Sequence, residues 1–94
     1  MDNVRIDRAA AHKYVADGAK LLDVRTPEEF AGGALPGAVN VPVQVIAQTI
    51  VDYAKDSETI VLYCRSGARS DVAARILRGL GYANSFNMGG IGEW

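Results

Sequence analysis

The stretch Thr59–Ser70, TIVLYCRSGARS, joins an apolar run to a glycine-containing loop that holds the only cysteine of the chain. Thr59–Tyr63 is an unbroken row of β-branched, apolar and aromatic residues, which predicts a buried strand. An apolar stripe after the loop predicts a helix that begins near Ser70 and is ended by Gly81. The stripe consists of Ala73, Ile76, Leu77 and Leu80. The stretch therefore predicts a strand–loop–helix unit.

Short apolar runs alternate with helical patterns along the rest of the chain. Further strands are predicted at Lys20–Val24, Ala38–Pro42 and Ala83–Met88. Further helices are predicted from Asp7 to Asp17, from a capping box that starts at Thr26, and along an apolar stripe from Val43 to Ala54. This alternation predicts an α/β domain with a mainly parallel sheet and helices on both faces. Ligands bind at the carboxyl ends of such strands, which is where the cysteine loop lies.

Length and composition narrow the class of protein. Ninety-four residues suit one domain, 1–94, and a hydrophobic fraction of 49% is enough for a core without disulfides or metal. A net charge of -1 argues against a nucleic-acid partner. Cys64 and His12 are too few to form a zinc site. No signal peptide or membrane-spanning run is visible, so we expect a cytoplasmic protein with no membrane partner.

Cys64 lies between a predicted strand and a predicted helix, a position that favours a reactive thiol. A lone free cysteine is usually a buried structural thiol. A thiol that faces a helix N-terminus, however, is stabilised as the reactive thiolate by the helix dipole and by free amides. Arg65 and Arg69 flank the loop, and either side chain can bind an anion. Gly67 and Ala68 are small enough for the backbone to curl and turn its N–H groups inward. We therefore predict a nucleophilic cysteine in an anion-binding loop.

Signature segments identify the family that the chain resembles. In order, they resemble those of the rhodanese-homology domain: LLDVRTPEEF (Leu21–Phe30), LPGAVNVP (Leu35–Pro42), IVLYCRSGARS (Ile60–Ser70), LGY (Leu80–Tyr82) and MGGIGEW (Met88–Trp94). The resemblance covers nearly all of the chain from Leu21 onward. It implies a single rhodanese-like domain with a three-layer α/β/α fold and a mainly parallel sheet of about five short strands.

The resemblance also implies a thiosulfate-type sulfurtransferase. Cys64 matches the family's catalytic cysteine, whose thiolate takes the outer sulfur of thiosulfate and releases sulfite. The persulfide then passes its sulfur to cyanide or a thiol, with a thioredoxin-like or other protein thiol among the candidates, in a ping-pong reaction. No cofactor or metal is implied. The implied substrate-binding residues are Arg65, Ser66, Gly67, Ala68, Arg69 and Ser70.

Two alternatives stay open at this point. A persulfide carrier or regulatory rhodanese module has the same sequence features. A phosphatase or arsenate reductase of the same fold is disfavoured by loop length, because Cys64 to Arg69 is C-x4-R and the phosphatase relatives use C-x5-R. A shorter ring of amides encloses a smaller volume, which suits one sulfur atom.

Residues outside the loop are given supporting roles. Asp23 and Arg25 end the first core strand, and we expect Asp23 to accept backbone hydrogen bonds and Arg25 to pair with Glu29. Ala34 stands where the family usually has a histidine, which removes a polar contact near the end of a strand. By the same resemblance, Met88–Gly90 is expected to form a tight turn beside the pocket.

Overall fold

The computed structural model describes residues 3–94, which form a four-stranded sheet in the order β2-β1-β3-β4 with all neighbours parallel. The strands are β1 (Lys20–Asp23), β2 (Val39–Asn40), β3 (Ile60–Cys64) and β4 (Ser85–Gly90). The α-helices are α1 (Arg8–Ala16), α2 (Pro27–Ala31), α3 (Ile46–Thr49) and α4 (Ala68–Gly79), and short 3₁₀ turns cover Ile50–Asp52 and Ile91–Glu93. No helix within the described range is long and apolar enough to cross a membrane.

The two faces of the sheet bury separate apolar clusters. Side chains alternate along β3, so that Leu62 and Cys64 point to the face covered by α3 and α4. Val61 and Tyr63 point to the opposite face, where α1 packs. The predicted α/β architecture, a parallel sheet with helices on both faces, is confirmed.

The sheet has four strands where about five were expected. The fifth position, beside β4, is occupied only by an isolated parallel bridge between Arg5 and Asn87. The Ile6 amide donates to the Asn87 carbonyl at 3.0 Å, and the Asn87 amide donates to the Val4 carbonyl at 2.8 Å. Asp7 then caps α1 by accepting from the Ala10 amide at 2.8 Å. Capping turns the chain out of the sheet before a longer strand can form.

The connection between strand and helix at the cysteine is shorter than predicted. Cys64 is itself the last residue of β3, and α4 begins at Ala68 rather than near Ser70. Gly67 is the N-cap and has φ 101°, a left-handed conformation that glycine adopts without strain. The connection between strand and helix is therefore only Arg65–Gly67, which brings the N-terminus of α4 directly to the sulfur.

The stripe from Val43 to Ala54 does not form one continuous helix. After α3 the chain tightens into the 3₁₀ turn Ile50–Asp52. No side chain caps the N-terminus of α3, and the β-branched run at this point is a poor helix former. Ile46, Ile50 and Ala54 are buried as the stripe predicted, whereas Val51 is 72% exposed.

Ile50 and Val51 offer a matched test of this packing. We expect Ile50→Ala to lower the free energy of unfolding by about 2–5 kcal/mol, because Ile50 is 1% exposed and truncation leaves a cavity. Val51→Ala should change it by no more than about 0.5 kcal/mol. Urea unfolding of both variants measures the difference. Similar losses would mean that the stripe continues as a helix through Val51.

Candidate active site

The Cys64 sulfur lies at the centre of the loop. The residue is 1% exposed. The Gly67 amide donates a hydrogen bond to Sγ at 3.0 Å, and the Ser70 hydroxyl oxygen lies 3.4 Å from Sγ. Both contacts come from the cap and first turn of α4, whose amides have no partner inside the helix. The helix N-terminus therefore presents its polar groups to the sulfur rather than to solvent.

The surroundings of the thiol favour its ionised form. Burial is the largest single influence and raises the pKa of Cys64. The Ser70 hydroxyl and the backbone amides of Ser70, Gly67 and Ser66 act in the opposite direction and together outweigh burial. The net result is a pKa of Cys64 below its ordinary value. Although the sulfur is buried, it is therefore held by amides and a hydroxyl and not by hydrocarbon alone.

Arg69 is engaged by a carboxylate. Its Nη1 donates to Glu29 Oε1 at 2.7 Å and its Nη2 donates to Glu29 Oε2 at 3.0 Å. This pairing lowers the pKa of Glu29 to about 2, with further help from the Thr26 amide. The pKa of Arg69 is raised, chiefly by Glu29 and in addition by the negative charge of Cys64. The guanidinium thus fastens α4 to α2 while its charge acts on the sulfur. Its predicted role in donor binding stays a prediction.

The remaining loop side chains face outward. Arg65, Ser66 and Ala68 are exposed, whereas Gly67 and Ser70 are buried. The Arg65 side chain makes no hydrogen bond or ion pair to any of residues 3–94. Arg65 is therefore a cation beside the loop that is available to an incoming anion.

Asp23 and Arg25 form a buried pair at the end of β1. Arg25 Nη2 donates to Asp23 Oδ2 at 2.7 Å, and the Arg25 amide donates to Asp23 Oδ1 at 2.9 Å. The expectation that Arg25 pairs with Glu29 is wrong, because Glu29 is taken by Arg69 and Asp23 is nearer in the chain. Asp23 accepts a backbone hydrogen bond as expected. The pair makes no contact with Cys64 among the described interactions, so it supports the loops rather than the sulfur.

The segment around Ala34 is held without a histidine. Arg25 Nη2 donates to the Gly33 carbonyl at 2.7 Å, and the Leu35 amide donates to the Tyr63 hydroxyl at 3.1 Å. Burial of that phenol raises the pKa of Tyr63 to about 12, which keeps it neutral. Backbone contacts on both sides of Ala34 therefore fix the segment.

Residues 88–90 are the end of β4 and not the expected tight turn. The pairing of β3 with β4 shifts register, so that Leu62 pairs with Asn87 while Tyr63 pairs with Gly89. Met88 is the extra residue of a bulge, and Gly89 has φ 102°. The glycines then lie against the loop: a Cβ on Gly90 would stand 2.4 Å from the Arg65 carbonyl oxygen. Only glycine permits this approach. The backbone of β4 therefore packs directly against the backbone of the cysteine loop.

The family is decided by comparison with known domains. A model of the rhodanese-like domain matches residues 7–94. The chain belongs to the rhodanese-like domain family. The resemblance inferred from the signature segments is thereby confirmed.

Individual relatives of this rhodanese-like domain carry related names. A protein of Allochromatium vinosum named sulfurtransferase is 39% identical over 95% of this chain and 85% of its own length. The human thiosulfate:glutathione sulfurtransferase is 34% identical over 81% of this chain and 78% of its own length. The structure of the human single-domain sulfurtransferase TSTD1 superposes with a TM-score of 0.82 at 29% identity, covering 95% of this chain and 91% of the other.

A cavity at the opposite end of the sheet is separate from this site. Its volume is about 360 Å³, and its walls include Gly18, Lys20 and Tyr53 at the N-terminal end of β1. The wall carries no thiol, carboxylate or imidazole. The loop around Cys64 is therefore the candidate active site, and this cavity is not part of it.

Asn87 is a site residue that the sequence reasoning missed. It is buried in β4, where its Oδ1 accepts from the Gly89 amide at 2.8 Å and its Nδ2 donates to the Gly67 carbonyl at 3.1 Å. The available signal was an asparagine directly before Met88 in the predicted strand Ala83–Met88. That signal does not say which neighbour the amide meets, because β4 and the loop are distant in the chain.

Gly90 provides a test of how the loop of this rhodanese-like domain is shaped. Gly90→Ala should push the Arg65 carbonyl away and cost about 1–3 kcal/mol of unfolding free energy, because the obstructing atom is backbone. It should also raise the pKa of Cys64 as the amides move. Gly92→Ala is the control, since a Cβ there meets nothing within 4 Å. Equal thermal stability and thiol titration for the two variants would contradict the role given to Gly90.

Proposed function

We propose that this rhodanese-like domain is a sulfurtransferase that carries sulfur as a persulfide on Cys64. The observation that supports it best is the Cys64 sulfur under the Gly67 amide at 3.0 Å, inside a loop whose hydrogen bonds lower the thiol pKa. A thiolate is the nucleophilic form of cysteine. The names of the relatives, which are sulfurtransferases, point to the same reaction class.

In the first half-reaction the Cys64 thiolate attacks the outer sulfur of the donor. An electron pair on Sγ forms the new sulfur–sulfur bond, and the sulfur–sulfur bond of thiosulfate breaks with its electron pair on departing sulfite. The negative charge then lies on the outer sulfur of the persulfide. Amides at the N-terminus of α4 stabilise that charge as they stabilise the thiolate.

In the second half-reaction an acceptor takes the outer sulfur. A lone pair of cyanide or of a thiolate forms the new bond, and the electrons of the persulfide bond return to Cys64. The products are thiocyanate or the persulfide of the acceptor thiol, together with the regenerated thiolate. Atoms and charge balance in both halves without any added oxidant, so no redox cofactor is needed.

Loop size supports sulfur rather than phosphate as the group transferred. The connection Arg65–Gly67 is short, and α4 begins at Ala68. The ring of amides from Cys64 to Arg69 follows the pattern C-x4-R and is one residue shorter than the C-x5-R loop of the phosphatase relatives. The Cys64 Sγ atom lies within this ring, in contact with the Gly67 amide. The space that remains suits one further sulfur atom better than a tetrahedral phosphate.

Cys64→Ser tests the nucleophile directly. After incubation with thiosulfate, the wild-type protein should gain the mass of one sulfur atom, and a reductant should remove it. The serine variant should gain nothing and should make no thiocyanate from thiosulfate and cyanide, because a hydroxyl at this position is not ionised at neutral pH. Intact mass spectrometry and a thiocyanate assay measure both effects.

Two results would reject parts of this proposal. A serine variant that keeps its rate would show that Cys64 is not the nucleophile. A wild-type protein that accepts sulfur only from a protein persulfide, and never from thiosulfate, would identify a carrier rather than a thiosulfate sulfurtransferase.

Arg65 is proposed to bind the anionic donor, because its side chain is exposed and makes no ion pair within residues 3–94. Arg65→Ala should raise the KM for thiosulfate about tenfold through loss of a charge-assisted hydrogen bond, with a smaller effect on kcat. Lys13→Ala is the control: it removes an exposed cation in the last turn of α1, where Lys13 pairs with the C-cap residue Asp17. Equal KM values for the two variants would contradict the role of Arg65.

A further inference from the structure

The Ser70 hydroxyl has one proton and several acceptors within reach. Ser70 is 0% exposed, so no solvent competes for that proton. Its Oγ lies 2.7 Å from Asn87 Oδ1, 3.3 Å from the Gly67 carbonyl and 3.4 Å from Cys64 Sγ. The Gly89 carbonyl lies further away at 3.5 Å. A hydroxyl donates to one strong acceptor at a time, so these partners compete.

The orientation of the Asn87 amide is fixed by its neighbours. The Gly89 amide N–H must meet an acceptor, which it finds in Oδ1 at 2.8 Å. The Gly67 carbonyl oxygen, which also accepts from the Asp71 amide at 3.0 Å, lies 3.1 Å from Nδ2, and an oxygen at that distance requires a donor opposite it. A flipped side-chain amide would place N–H against N–H and oxygen against oxygen. Oδ1 is therefore an acceptor toward Ser70, and the short contact of 2.7 Å takes the hydroxyl proton.

The direction of this hydrogen bond depends on the charge of the sulfur. With a neutral sulfur, the better acceptor is Asn87 Oδ1, and a lone pair of Ser70 Oγ faces Cys64. With a thiolate, the negative charge attracts the hydroxyl proton, and the bond to Asn87 must break. Ionisation of Cys64 therefore requires the hydroxyl to turn.

We propose that Asn87 is a positioning residue that holds the Ser70 hydroxyl away from Cys64 while the sulfur is neutral and yields it when the sulfur ionises. This inference rests on the proposed function, in which Sγ alternates between a charged thiolate and the neutral inner sulfur of a persulfide. Asn87 stabilises the neutral state by offering the hydroxyl a partner in β4. The sulfur-loaded enzyme is thereby favoured relative to the free thiolate.

Charged groups around Cys64 do not provide the same response. β4 carries no titratable residue along Ser85–Gly90, and neither does α3 along Ile46–Thr49. On α4 the nearby cation is Arg69, which remains paired with Glu29 of α2. On β1 the buried carboxylate Asp23 is paired with Arg25. Two further groups lie near the loop: the Arg5–Glu93 ion pair beside Gly89, and Arg65, which is exposed and pairs with none of residues 3–94. The paired charges are fixed and the charge of Arg65 is screened by solvent, whereas the buried Ser70 hydroxyl reorients by rotation about a single bond.

The test is the thiol pKa of Cys64 in four proteins: wild type, Asn87→Ala, Ser70→Ala and the double variant. Cys64 is the only cysteine, so the thiolate ultraviolet absorbance, with Cys64→Ser as the blank, reports on it alone. Asn87→Ala should lower the pKa by about half a pH unit to one pH unit, because the hydroxyl becomes free to donate to sulfur. Ser70→Ala should raise it, and adding Asn87→Ala to Ser70→Ala should change nothing further.

A purely structural role for Asn87 predicts the opposite sign. Loss of its contact with the Gly67 carbonyl would loosen the Gly67 amide from the sulfur and raise the thiol pKa. An unchanged or higher pKa in folded Asn87→Ala overturns the proposal. So does a fall of equal size in the Ser70→Ala background.

A second variant covers the case in which Asn87→Ala does not fold. Asn87→Asp keeps the size of the side chain and is a stronger acceptor, so it should raise the thiol pKa, and by less once Ser70 is alanine. A rise of the same size in both backgrounds overturns the proposal. No sulfur donor is present in these titrations, so they stand even if thiosulfate proves not to load Cys64.

Discussion

The structure of the site depends on the close contact between the backbone of β4 and the cysteine loop. The bulge at Met88 and the glycines after it let β4 pass beneath Arg65 at a distance that no side chain permits. Because β4 fills this space, the loop closes tightly over Cys64, and the Gly67 amide reaches the sulfur. A looser contact would leave the thiol buried without its hydrogen bonds, and burial alone raises the pKa of a thiol.

The charges near the site are mostly used to join elements to one another. Arg69 binds Glu29 and so ties α4 to α2, while Arg25 binds Asp23 and the carbonyl of Gly33. These ion pairs make the loops rigid, and a rigid loop keeps its amides oriented before any substrate arrives. Arg65 differs from these cations, because it is exposed and forms no ion pair within residues 3–94, which supports its proposed role in donor binding.

The ionisation of the Cys64 sulfur is favoured by hydrogen-bond donors and their dipoles more than by the net charge of its surroundings. Its direct contacts are the Gly67 amide and the Ser70 hydroxyl, and the hydroxyl is shared with Asn87. An amide of the backbone is a fixed donor, whereas a hydroxyl can turn. In the proposed cycle the sulfur gains and loses charge, and one partner of each kind suits such an atom.

The sequence determined the strand–loop–helix unit and the parallel sheet with helices on both faces, because hydrophobic periodicity and capping residues act over short distances along the chain. The family followed from the resemblance of the signature segments. The sequence also placed Cys64 at a helix N-terminus. The tertiary structure alone decided the partners: Glu29 for Arg69, Asp23 for Arg25, and Asn87 for Ser70. The sequence does not predict these pairings, because folding joins residues that are far apart in the chain and because neighbouring charges have several possible partners.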